Sequence, residues 1–194
     1  MDLFVCSTAY QLYNAICIVT NSKRNAELMI VRDSLIDNCK FDTLIKTGFF
    51  SSVYIWTELM KKVTDGNVKK RRDKIKRYRK IFEAIIVRKQ IWNSLPNKGM
   101  HYNQIFIGYD DFVCQFIWSY FKKKGSKIAL YEEGTYTYAC LQNSVPLLKK
   151  IIQKIFFGSV LQKSVREIYV RNPSLLKIKQ NPNVKIKKID FKED

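Results

Sequence analysis

Short apolar runs recur along this chain, and each is followed by residues of a different period. Leu3 to Cys6, Glu27-Leu28-Met29-Ile30-Val31, Val53-Tyr54-Ile55-Trp56, Gln104-Ile105-Phe106-Ile107-Gly108 and Ile128-Ala129-Leu130-Tyr131 have strand length. After the first run, Leu12, Ala15, Ile16 and Val19 recur at helical spacing, and the hydroxyl of Ser7 or Thr8 caps the helix they form. A helix is also expected from Phe112 to Lys123, and another from Pro146 to Phe157 with Gly158 just past its end. Arg166 to Val170 and Val184 to Ile186 read as late short strands. Strand alternating with helix predicts an α/β chain: a Rossmann-like parallel sheet with helices on both faces, of about five or six strands, led by Leu3 to Cys6.

Open α/β sheets bind ligands beyond the carboxyl ends of their strands. The run Ile128 to Tyr131 ends there in Glu132, Glu133 and Gly134. Adjacent carboxylates raise each other's cost of ionisation, which suits one of them to proton transfer. The competing reading is a solvated acidic turn before a helix. Ser7, Thr8, Tyr10 and Gln11 follow the first strand and either line the same cleft or cap and pack the first helix. Asp110 and Asp111 either touch a ligand or complement a helix dipole. Tyr136 and Tyr138 either stack on a ligand or join the core, the commoner fate of aromatics after a strand.

Other chemistry is poorly supported. No G-x-G-x-x-G follows the first strand and no G-x-x-x-x-G-K-[ST] is present, so an ordinary dinucleotide or NTP site is not expected. The five cysteines are scattered without a C-x-x-C pair, and the single histidine, His101, lies in a loop flanked by Pro96 and Gly99. Zinc is therefore not expected, and a reduced cytosolic setting is. No apolar run approaches the roughly 20 residues of a membrane span.

The net charge of +18 is unevenly placed. Residues 61–90 hold 13 Lys and Arg against three acids, residues 146–194 hold 12 against four, and the remainder is balanced. A long basic helix is expected from Val68 to Trp92, with Ile75, Tyr78, Phe82, Ile85 and Ile86 as its apolar stripe. Its basic faces are plain solvated surface, a membrane-surface contact or a nucleic-acid contact through Lys69-Lys70-Arg71-Arg72. No recognised nucleic-acid motif accompanies the last.

Three segments resemble a known family. Leu3-Phe4-Val5-Cys6-Ser7-Thr8-Ala9-Tyr10-Gln11 is similar to the opening strand and T-P-Y-Q turn of the bacterial sialyltransferases of glycosyltransferase family 52, with Ala9 in place of proline. Ile105 to Asp110 looks like the strand before their acidic motif, and Tyr131-Glu132-Glu133-Gly134-Thr135 matches their D/E-D/E-G motif. Ile168 to Leu176 is similar to the stretch that begins their second domain. The resemblance implies a GT-B-type enzyme with residues 1–160 as the acceptor-side Rossmann-like domain and 161–194 as the start of a nucleotide-sugar-binding domain. It implies inverting, metal-independent transfer of sialic acid from CMP-sialic acid to a terminal sugar of lipooligosaccharide or capsule. Glu132 would be the general base and Glu133 would orient the site or bind the acceptor. Ser7, Thr8, Tyr10, Gln11, Asp110, Gly134 and Thr135 would contact substrate. The family's His-Pro element has no counterpart, since His101 is followed by Tyr102 and precedes the acidic motif. An acceptor-side half is therefore expected. Expected partners are the nucleotide sugar, the glycan acceptor and an anionic membrane surface against residues 61–90, with a homodimer left open. The expected location is cytoplasmic, peripheral to the inner face of the plasma membrane. The alternative is a non-enzymatic basic module for membrane or nucleic acid.

Overall fold

A computed structural model describes residues 1–31, 47–56, 92–93, 95, 97–108, 112–142, 147, 150–151, 153–154, 161–176 and 183–190. The basic helix expected from Val68 to Trp92, apart from helical Trp92, lies outside the described residues, as do Asp110 and Asp111. Of the helix expected from Pro146 to Phe157, the described residues 147, 150–151 and 153–154 are helical.

The elements run in the order β1 (Asp2–Cys6), α1 (Ala9–Ser22), β2 (Ala26–Val31), β3 (Val53–Trp56), β4 (Gln104–Ile107), α2 (Phe112–Lys123), β5 (Lys127–Tyr131), α3 (Thr135–Gln142), α4 (Leu161–Ser164), β6 (Val165–Val170), a 3₁₀ turn (Pro173–Leu175) and β7 (Lys185–Lys188). All seven strands are parallel, in the order β3-β2-β1-β4-β5-β6-β7. The sheet is thus larger than the five or six strands expected. The late segments β6 and β7 continue it: Tyr169 pairs with Tyr131 of β5, and Ile168 with Ile186 of β7. The backbone edge of β5 would otherwise stand open, and β6 closes it.

Alternate residues of each strand point to opposite faces. Leu3, Val5, Ile105, Ile107, Ile128 and Leu130 meet Ile117, Trp118 and Phe121 of α2. Phe4, Cys6, Leu28, Ile30, Phe106 and Tyr131 meet Leu12, Ala15, Ile18 and Val19 of α1. Both faces are covered, which is why the inner strands read as continuous apolar runs rather than alternating ones. Phe4 and Phe106 stack between neighbouring strands with centroids 4.1 Å apart. Burying a side chain of this size contributes about 1.5–3 kcal/mol. The chain leaves β1, builds β2 and β3 on one side, and returns to place β4 on the other. The strand order reverses between β1 and β4, so the crevice that such a reversal opens lies at their carboxyl ends.

Candidate active site

The loop after β1 is tied down by Gln11. Thr8 caps α1, its hydroxyl accepting from the Gln11 amide at 3.2 Å. In return the Gln11 side-chain oxygen accepts from Ser7 N at 2.6 Å, Ser7 Oγ at 2.9 Å and Thr8 N at 3.3 Å. This reciprocal box satisfies the amides of Gln11 and Thr8 at the helix start. It also orients the Gln11 amide, since an oxygen that accepts three donors leaves only the nitrogen to point elsewhere. Gln11 Nε2 donates to Glu133 Oε2 at 2.8 Å.

Gly108, just past β4, lies beneath that contact. A Cβ built there would stand 2.2 Å from Gln11 Nε2 and 2.8 Å from Glu133 Oε2. The glycine is therefore required by close approach. Gly134 is required by backbone conformation instead: its φ is +118°, which lets the chain turn from β5 into α3. Thr135 is the first residue of α3 and is exposed.

Glu132 is 4% exposed, yet it accepts from Tyr10 OH at 2.7 Å on Oε1, and from Tyr138 OH at 2.6 Å and Arg171 N at 2.7 Å on Oε2. Its own backbone is held too, by Tyr169 O and by Asn14 Nδ2 at 2.8 Å. The tyrosines remain protonated donors. Burial, then the bond to Glu132, pushes the Tyr10 hydroxyl above its ordinary range. The same causes in the same order push Tyr138 up to about 12. Asn14 turns its oxygen to Arg171, accepting from Nε at 3.1 Å and Nη2 at 3.0 Å. The guanidinium lies over the rings of Tyr10 and Tyr13, 4.6 and 5.3 Å from their centroids. Such stacking adds about 0.5–1 kcal/mol where it is exposed.

The structure thus brings together Ser7, Thr8, Tyr10, Gln11, Glu132, Glu133 and Gly134 at the carboxyl ends of β1, β4 and β5. The two carboxylates engage different donors: Glu132 turns into the protein among hydroxyls, and Glu133, half-buried, turns to Gln11 over the crevice. Sequence reasoning missed Asn14, and it missed that Tyr138 and the backbone of Arg171 serve Glu132. One signal was available. Asn14 follows Tyr10 by four residues, which puts both on one face of α1. Nothing local signals Arg171. Among the described residues no group of His, Cys, Asp and Glu has the makings of a metal centre. Cys6, beneath the site, is no nucleophile: burial pushes its thiol up to about 12, outweighing its contact with Tyr131 OH at 3.1 Å.

No model of a known protein family matches the chain, and no curated protein matches it in sequence.

Proposed function

We propose that the chain is the acceptor-side part of a GT-B-type glycosyltransferase. In this reading it transfers sialic acid from CMP-sialic acid to a terminal sugar of a lipooligosaccharide or capsular polysaccharide. The observation that carries the reading is the pair Glu132 and Glu133 at the carboxyl end of β5, hydrogen-bonded to Tyr10 and Gln11 at the start of α1, where the strand order reverses. The family resemblance supplies the donor and the acceptor class.

The two acids divide the work. The resemblance gives the base to Glu132, but its carboxylate accepts three hydrogen bonds in a buried setting. A base must reach the acceptor hydroxyl. We therefore assign proton transfer to Glu133 and the positioning of the β5–α3 turn to Glu132. The acceptor oxygen bonds to the anomeric carbon as the bond from that carbon to the CMP phosphate breaks. The hydroxyl proton passes to Glu133, and the electron pair departs with CMP. A single displacement inverts the anomeric centre.

The test is transfer from CMP-sialic acid to a galactose-terminated acceptor by the protein that carries this chain. Glu133→Gln is expected to lower the rate by about 10²–10⁴ with the fold intact. Glu132→Gln should lower the melting temperature as well, because its buried donors lose a partner. Near-normal turnover by Glu133→Gln would remove that residue from the role. The rival reading is a non-enzymatic module for membrane or nucleic acid, favoured by the net charge of +18. Binding by such a module would be indifferent to Glu133→Gln and sensitive to Lys69–Arg72.

A further inference from the structure

The opposite edge of the sheet, where the strands begin, carries a separate feature. A hollow of about 510 Å³ opens there, walled by residues from four segments: Asp2 at the start of β1, Arg24 after α1, His101 and Gln104 before and in β4, and Gly125 and Lys127 around the start of β5. Its volume falls in the range of small-molecule sites. The five residues of β1 separate it from the candidate active site, roughly 13 Å at 3.3 Å per residue.

Arg24 and Lys127 outnumber the acid Asp2 among the described residues of the wall. Arg24 is fixed in place: it pairs with Asp2 at 2.5 Å, donates to Gln104 and Tyr169, and lies 5.1 Å over the Phe106 ring. Its Nε is buried with no partner. Asp2, the one acid among the described residues of the wall, is already neutralised by Arg24. Gly125, at φ +90°, turns the chain from α2 into β5 and leaves its side of the wall bare beside His101. The same edge of the sheet carries Lys23, Lys122, Lys124, Lys163 and Arg166, at or next to helix ends and strand starts, and Lys98 in the turn before β4. Among the described acids of this edge, Glu27 is buried against Tyr102 and Asn97, and Glu167 is paired with Lys187. The crowding has a consequence: the Lys122 ammonium sits below its ordinary range, first from burial and then from Arg166 beside it.

We propose that this hollow is a binding site for a phosphate monoester, held by Lys127 and His101 beside the Arg24–Asp2 pair. A phosphate monoester carries up to two negative charges and three strongly accepting oxygens. It can therefore meet donors arriving from several segments at once, which a single carboxylate cannot. The group is presented either by a soluble phosphate or by the headgroup of a phosphatidic-acid-containing bilayer.

The only histidine of the chain reports on this wall. The imidazole proton resonances of His101 are followed at fixed pH and ionic strength while glycerol 3-phosphate replaces chloride. A parallel series uses phosphatidylcholine vesicles with and without phosphatidic acid, read by co-sedimentation. The site predicts a saturable shift of His101, and Lys127→Ala, an exposed substitution, should weaken binding at least fivefold with the melting temperature unchanged. Saturation by glycerol 3-phosphate assigns a soluble ligand. Binding only to the phosphatidic acid vesicles, lost in Lys127→Ala, assigns the lipid headgroup. No response to either probe, or a response that Lys127→Ala leaves unchanged, overturns the proposal.

Discussion

Gly108→Ala tests how tightly the candidate site is assembled. The added methyl would stand 2.2 Å from Gln11 Nε2, 2.8 Å from Glu133 Oε2 and 3.1 Å from Gln11 Cδ. The φ of Gly108 is not positive, so alanine suffers no backbone strain there and gains about 0.4–1 kcal/mol from a stiffer unfolded chain. Against this stands the clash. Gln11 is a flexible residue in principle, but here it is 2% exposed and its oxygen is pinned by Ser7 and Thr8. To move by the ångström required, it must give up its bond to Glu133 or its place in the helix cap. Overpacking costs about 1–3 kcal/mol and a hydrogen bond to a charged group about 1.5–3. The net expectation is a loss of about 2–4 kcal/mol. Urea denaturation of wild type, Gly108→Ala, Gln11→Ala and the double variant measures it. Removing the Gln11 side chain makes room for the methyl, so the double variant should be hardly less stable than Gln11→Ala alone. Additivity within about 0.5 kcal/mol would refute the reasoning, since it would mean that the two residues do not compete for space.

Tyr10→Phe and Tyr138→Phe each strip one donor from the buried Glu132, and each should cost about 1–3 kcal/mol in the same denaturation assay. Tyr102→Phe takes a donor at 2.6 Å from Glu27, which is also buried, and should weaken the anchoring of the segment before β4, read as faster hydrogen exchange there. The Cys6 thiol is pushed up to about 12 by burial, against an ordinary value of 9.0. Between those values the unfolded chain sheds a proton that the folded one keeps, so Cys6 subtracts stability as pH rises through this window; Cys6→Ala, compared with wild type by melting at pH 8 and pH 10.5, should show a smaller alkaline loss. Glu167 behaves oppositely: burial raises its carboxyl, but hydrogen bonds from Lys187, Gln104 and Tyr169 prevail and hold it below its ordinary value. Its stabilisation is present above that ordinary value and lost on acidification, and Glu167→Gln should flatten the acid limb of the stability profile.

The elements themselves were legible in the sequence, because hydrophobic period is a local property. Each strand from Leu3–Cys6 to Val184–Ile186 coincides with an observed strand, with ends differing by a residue or two, and Thr8 caps α1 as its hydroxyl suggests. The placing of Glu132 and Glu133 at a carboxyl edge followed from the same pattern, since a strand end is visible in the chain. The order of the strands was not. It depends on which edges pair, and only the packed sheet brings β4 between β1 and β5 and so puts Gly108 beneath Gln11 and Glu133. Nor could the sequence separate the two acids. Neighbouring carboxylates look alike in a chain, and their difference arises from the donors that reach them, Tyr10 from 122 positions earlier and the backbone of Arg171 from 39 later. Asn14 joins Arg171 across 157 positions for the same reason. Contacts between distant residues are decided by which faces bury together, and that choice is made by the whole sheet at once.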